Sequence, residues 1–149
     1  YMPWRTAETM LTNSNNEKNP EFITKTVKSG LFEDWNQFKS VWMNPPYGEN
    51  EIWLEKILHE SQGGLALLAS RTEVDRWFVP YVWEQATAIL FLYGRLYYHY
   101  PDGKKAKGNA GHGSIIAAYG DSWADKLRDQ TEYRGRFIDN RDYLKENHA

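Results

Sequence analysis

Cysteine is absent from the 149 residues, which excludes disulfides and thiolate metal sites and fits a cytoplasmic protein without demanding one. No apolar run approaches the ~18 residues that mark a membrane span. Tyr1 to Leu11 has no basic stretch followed by an apolar one, so no secretory signal is read there. An excess of one charge is lacking too: 18 lysines and arginines stand against 20 aspartates and glutamates, a net of −2. Proteins that grip nucleic acid mainly through its phosphates carry a basic excess, so any such affinity must come from a local basic face. The four histidines, His59, His99, His112 and His148, have no metal-ligand spacing, and neither a metal nor any other role is assigned to them. What is plentiful is apolar: 41% hydrophobic and 15% aromatic residues, enough for one packed core and a single domain over residues 1–149.

Neither an internal repeat nor a low-complexity tract interrupts the chain. Residues 12–20 are polar and turn-rich and read as a loop. Ser40–Met43 is a short apolar strand that runs into Asn44-Pro45-Pro46-Tyr47-Gly48. Over Asn50–Ser61, Ile52, Trp53, Ile57 and Leu58 recur at helical spacing, and Gly63-Gly64 ends that run. Leu65–Ala69 is continuously apolar, as a buried strand of a parallel sheet would be. Glu73–Gln85 predicts a second helix, interrupted or reset at Pro80, and Thr87–Tyr93 another buried strand closed by Gly94. Arg95–Tyr100 alternates like an edge strand, with one face of Tyr97, Tyr98 and Tyr100 buried without any ligand. Residues 101–113 form a Gly/Lys loop, Ser114–Tyr119 a last strand and Asp121–Gln130 a helix, with a polar tail beyond Arg134. This order predicts an α/β sheet of at least four strands, helices on both faces and an antiparallel strand near its end.

In open α/β sheets ligands bind beyond the carboxyl ends of strands, and Asn44-Pro45-Pro46-Tyr47 follows such an end. By composition, a tetrapeptide of this kind arises in roughly one chain of this length in a few hundred. Two successive prolines fix φ and force the preceding residue to be extended. The result is a stiff corner that holds the Asn44 side chain and the Pro45 carbonyl as acceptors beside the flat face of Tyr47. Such a corner suits an exocyclic amino group on a planar ring: two acceptors take its two N–H donors while the aromatic ring stacks on it. The amino lone pair is then less conjugated into the ring and can attack a methyl group in line, driven by positioning and electrostatics without a general base or metal. A plain proline turn is the alternative reading, and the flanking strand and helix weigh against it. The tetrapeptide does not name the substrate, since similar ones serve methylation of RNA guanines and protein glutamines.

Four separated blocks sharpen the reading. Gly30-Leu31-Phe32-Glu33-Asp34-Trp35 followed by Val41-Trp42-Met43-Asn44-Pro45-Pro46-Tyr47-Gly48, then Leu67–Thr72 with Arg76-Trp77-Phe78, then Gly94–Tyr98, and finally Ser114–Gly120 occur in this order. Together, over roughly residues 17 to 120, they resemble the phage-type DNA N6-adenine methyltransferase family. The resemblance implies a Rossmann-like, three-layer sheet of the S-adenosylmethionine-dependent methyltransferase type, DNA as partner, no membrane association, and a bacterial host cell if the protein is phage-encoded. It makes Asn44, Pro45, Pro46 and Tyr47 the catalytic contacts to the target adenine, with Asn44 and Asp34 also at the cofactor. Family members carry a Trp/Tyr-Thr-Pro element and an Asp-rich loop ahead of these blocks. Trp4-Arg5-Thr6 corresponds to the first, with Trp4 and Thr6 as cofactor contacts, but no proline follows Thr6. The N-terminal part is therefore expected to be short or incomplete.

Arg71 and Arg76 follow a strand on the rim of the expected site. Arg95 follows the Gly94 turn, and Lys104, Lys105 and Lys107 lie in the Gly-rich loop. All six are candidates for DNA phosphates, with solvated surface charges as the alternative. Three functions stay open at this point: adenine-N6 methylation of DNA, a methyltransferase-like remnant that binds DNA or a partner protein, and methylation of RNA or protein on the same fold.

Overall fold

The computed structural model of the chain describes residues 30–100 and 102–147. Five strands form one mixed sheet: β1 (Val41–Met43), β2 (Gly64–Ala69), β3 (Ala88–Leu92), β4 (Ser114–Tyr119) and β5 (Gly135–Asp139), in the order β1-β2-β4-β3-β5. Helix α1 (Asn50–Glu60) connects β1 to β2, α2 (Asp121–Asp129) follows β4, and α3 (Arg141–Asn147) follows β5. β1 and β2 run parallel, with Val41 opposite Gly64. A side chain on Gly64 would strike the Val41 carbonyl, so only glycine lets these two strands approach.

Period-two alternation divides the strands between two cores. Ala66, Leu68, Ile89, Ile115, Ala117 and Tyr119 face one side, where Trp53, Leu54 and Ile57 of α1 cover them together with Trp77, Phe78 and Val82. Ala88, Leu90, Ile116 and Ala118 face the other, under Ala124 and Leu127 of α2. Both helices bury residues three or four apart, which places those residues on one stripe. The sheet is therefore covered by helices on both faces, and its strands bury most of their side chains.

Four expectations change. The strand Gly64–Ala69 belongs to a mainly antiparallel sheet, because β4 inserts between β2 and β3 and pairs antiparallel with both. Residues 73–85 do not form a regular helix but turns and one π-helical turn, Val79–Trp83. Pro80 has no N–H to give, and the flanking bonds widen to five residues, Val79 N–H to the Val74 carbonyl (3.2 Å) and Glu84 N–H to that of Val79 (3.1 Å). Residues 95–100 are not a sheet strand. They pair only with their own loop, through a bridge between His99 and Lys105. The tail beyond Arg134 folds as β5 and α3, held by Asn140, whose buried Nδ2 donates to the carbonyls of Trp83 (2.8 Å) and Ala86 (3.1 Å).

Arg141 closes this corner by bonding Asp139 and reaching Asp125 of α2 at 3.0 Å. The Arg141 guanidinium holds the Asp139 carboxyl below its ordinary range. A carboxyl depressed in the fold adds stability above its unfolded pKa of about 3.9, and that stability is lost as pH falls through the lower folded value. Asp139→Asn should therefore flatten the acid limb of stability. Thermal unfolding followed by circular dichroism between pH 5 and pH 2 should show a smaller fall in Tm than the parent's. An equal fall would mean the pair is screened by solvent and contributes nothing.

Candidate active site and nucleic-acid interface

The topology gathers distant segments at one end of the sheet. β1 and β2 are parallel, so both carboxyl ends lie together. The start of β4 lies beside the end of β2, with Ser114 opposite Ala69, and the end of β3 lies beside it in turn, with Phe91 opposite Ile115. Residues 44–49, 70–78 and 93–113 all leave or enter the sheet there.

Past Met43 the chain stays extended long enough to bury Pro45 and leave Asn44 and Pro46 half-buried. The Glu49 N–H then bonds the Pro46 carbonyl at 3.2 Å, closing a four-residue turn with Tyr47 and Gly48 at its corner. Gly48 has φ +92°, the left-handed value that the third position of a type II turn requires. This turn throws the Tyr47 ring outward, where it is 61% exposed. Among the described residues, neither the Asn44 side chain nor the Pro45 carbonyl makes a hydrogen bond. The corner thus presents two unengaged acceptors beside an open aromatic ring.

Two residues that sequence reasoning passed over stand against that ring. His112 lies 5.1 Å from it, centre to centre, with the planes at 79°. Tyr98 brings its hydroxyl to 3.4 Å from the Tyr47 hydroxyl. Burial, followed by this hydroxyl contact, pushes the Tyr98 phenol up, so it stays protonated. His112 Nδ1 is 2.9 Å from the Gly113 carbonyl. A carbonyl only accepts, so Nδ1 carries the proton and Nε2 is left as the acceptor in the neutral ring. The same carbonyl accepts the Ser70 N–H at 3.0 Å, which fixes His112 to the end of β2. The one signal for Tyr98 was its alternation with Tyr97, and Tyr98 is half-buried with its hydroxyl toward that of Tyr47. Nothing in the sequence marked His112.

Residues 94–100 and 102–113 pair as an irregular two-stranded ribbon. Ala106 N–H bonds the Tyr98 carbonyl, Tyr100 N–H that of Lys104, and Ala110 N–H that of Leu96, each at 2.8 Å. Leu96, Tyr98, Ala106 and Ala110 are half-buried, while Arg95, Tyr97, His99, Lys105 and Lys107 are exposed. The Lys105 ammonium lies 4.0 Å from the Tyr97 ring centre. Lys104, at the tip, pairs with Asp102 at 2.9 Å. The Lys104 backbone N–H and ammonium hold that carboxyl below its ordinary range. Behind β2, Arg76 reaches Glu51 on the first turn of α1 at 3.2 Å, and Arg71 lies 3.9 Å from Glu73. All six candidate cations are therefore exposed and sit in segments that leave this end of the sheet.

The remaining candidates lie elsewhere. Asp34 caps the 3-10 turn Trp35–Gln37, its Oδ1 accepting from the backbone and side chain of Asn36 at 3.0 and 3.1 Å. Trp35 is buried, donates to the Gly30 carbonyl at 2.9 Å and packs on Trp53 of α1. No hydrogen bond or ion pair joins Asp34 to Asn44 among the described residues. Asp34 Oδ2 stays free of partners within that set. Trp4 and Thr6 lie outside the described residues. Within those residues no helix is long and apolar enough to cross a membrane.

The family model described as DNA N-6-adenine-methyltransferase (Dam) matches residues 8–136. No curated protein and no solved structure gives a match. The match spans most of the chain, including the corner at Asn44–Tyr47, the ribbon and every strand up to the start of β5, and this chain belongs to the DNA N-6-adenine-methyltransferase (Dam) family.

Proposed function

We propose that this chain transfers a methyl group from S-adenosylmethionine to the N6 amino group of adenine in DNA, with Asn44–Tyr47 as the clamp on the extruded base. One observation carries the reading: the Asn44 amide and the Pro45 carbonyl are unengaged acceptors at a strand end, beside an exposed ring. Family membership supports adenine in DNA as the substrate of that arrangement.

The clamp works by hydrogen-bond direction. Adenine N6 has two N–H donors, and the Asn44 Oδ1 and the Pro45 carbonyl accept one each. Both bonds draw the nitrogen toward tetrahedral geometry and return its lone pair from the ring, which makes it nucleophilic. Tyr47 stacks on the base and holds it in register. Pro45 and Pro46 fix the corner before the base arrives, so little reorganisation is spent at the moment of reaction.

S-adenosylmethionine supplies the electrophilic methyl group when bound. Asp34 Oδ2 and the Asn44 amide would be the groups to meet it, being acceptors without partners among the described residues. Such groups suit the hydroxyl and ammonium donors of that molecule. In this reading Asp34 and Asn44 hold the cofactor together with Trp4 and Thr6. Arg71, Arg76, Arg95, Lys104, Lys105 and Lys107 serve DNA phosphates.

Asn44→Ala should keep the fold and lose most methyl transfer to adenine-containing duplex. The expected cost is ~3 kcal/mol if the missing acceptor is comparable to one oxyanion-hole donor. Unchanged incorporation of labelled methyl by this variant would defeat the clamp.

Tyr47→Ala should weaken capture of the extruded base by about 1–3 kcal/mol, the worth of one base–aromatic stack. Tyr47→Phe should be mild, since among the described residues the hydroxyl meets only that of Tyr98. If the Phe variant were as damaged as the Ala variant, the hydroxyl and not the ring would be the working group.

Replacing Lys104, Lys105 and Lys107 together with Ala should weaken duplex binding without altering sequence preference. The slope of log affinity against log salt should become shallower by roughly 0.9 for each phosphate no longer neutralised. A parent-like slope in binding titrations over a salt series would place the DNA-facing surface elsewhere.

A further inference from the structure

We propose that the outer face of the 94–113 ribbon is a binding platform for unpaired DNA, on which a base stacks on Tyr97 while Arg95, Lys105 and Lys107 take the neighbouring phosphates. The proposal rests on the reading that the chain acts on DNA, but it does not involve methyl transfer.

The pairing of the ribbon sets this face. His99 and Lys105 form a bridge, so these two side chains point to the same side, and Tyr97 and Lys107 follow them two residues away. The approach of Lys105 to the Tyr97 ring confirms that those two share a face. The burial pattern agrees: every odd-numbered residue named here is exposed, whereas Leu96, Tyr98 and Ala106 are turned inward. Tyr97 is 44% exposed and Tyr100, near the tip, is 56% exposed.

The charge on this segment is one-sided although the chain as a whole is slightly acidic. Between Gly94 and Gly113 stand Arg95, Lys104, Lys105 and Lys107 against a single carboxylate, Asp102. That carboxylate is occupied by Lys104 at the tip. The face that carries Tyr97 therefore holds cations unopposed by any carboxylate of the ribbon. A polyanion is the complementary partner.

The aromatic ring narrows the polyanion further. In a duplex both faces of each base are covered by neighbours, and an exposed tyrosine gains nothing from them. An unpaired base offers its π-face to any ring, which is why single-strand sites interleave aromatic and basic residues. Ribbon and clamp also belong to one unit, because Tyr98 on the inner face touches Tyr47. A strand opened to extrude one base would leave unpaired nucleotides for the outer face to hold.

The test uses the full chain and adenine-free ligands, which keeps the clamp out of the measurement. Fluorescence anisotropy compares an oligothymidylate of about twelve nucleotides, within the usual site sizes, with an abasic phosphodiester of equal length. The oligothymidylate should bind about tenfold more tightly, toward the low end of one base–aromatic stack. Tyr97→Ala should abolish that preference and Tyr97→Phe should retain it. Lys105→Ala with Lys107→Ala should keep the preference while making the salt slope shallower by roughly 0.7 per phosphate, the single-strand value. Equal binding of the two ligands by the parent chain, or a preference that survives Tyr97→Ala, would overturn the platform. A preference that disappears in Asn44→Ala would also overturn it, by assigning base recognition to the clamp. Methylation by Asn44→Ala at the parent rate would sink the clamp and leave the platform standing, so the two proposals fail separately.

Discussion

β4 is the constraint on which the remaining architecture depends. All six of its residues are buried, and it is hydrogen-bonded on both edges, to β2 and to β3. Placing an antiparallel strand between two others brings the end of β3 and the start of β4 to the carboxyl ends of β1 and β2. The segment between them, residues 93–113, has no other course than to leave and return at the clamp end. Had β3 and β4 been joined by a crossover in a parallel sheet, this segment would have had to return to the opposite end of the sheet. The Tyr98 hydroxyl would then have been nowhere near Tyr47.

The strands and the first helix were legible because their signals are local and apolar. Gly64–Ala69, Ala88–Leu92 and Ser114–Tyr119 are continuous runs, and Asn50–Glu60 repeats its apolar residues at helical spacing. Strand direction was not legible, since a strand buried on both faces carries no mark of its neighbours' direction. The tail failed for another reason. Gly135–Asp139 is half-polar because it is an edge strand with one partner, and its stability comes from Asn140 and Arg141 bonding distant carbonyls and carboxylates. That a turn follows β1 at Asn44–Tyr47 was readable, because two prolines and a glycine dictate backbone torsions directly. His112 was invisible, being placed by a long-range backbone bond and carrying no spacing pattern of its own.

Overall charge and local charge point in opposite directions here, and the proposed DNA contact rests on the local one. A net of −2 argues against a protein that coats nucleic acid, yet screening confines the field of exposed charges to about 10 Å at ordinary salt. Acidic residues on α2 and at the end of β5 are drawn into the ion-pair network of Arg128 and Arg141. The cations of the ribbon have only Asp102 to meet within their own segment.

The two halves of the site differ in how firmly they are held. Asn44 and Pro45 continue from a strand fixed by its pairing with β2, and Pro45 is buried. Tyr47 stands at the tip of a turn, touched by His112 and by a Tyr98 hydroxyl at 3.4 Å, beyond the usual range for an O–H···O bond. The backbone that carries the acceptors is thus held by the sheet, while the Tyr47 ring is only leaned upon. That division fits the roles proposed for each. Acceptors that polarise an amino group lose their effect if they move, since electrostatic stabilisation depends on donors and acceptors already in place. A ring that covers a base must first let it enter, and a long hydroxyl contact to the ribbon is one that an arriving base can displace at little cost.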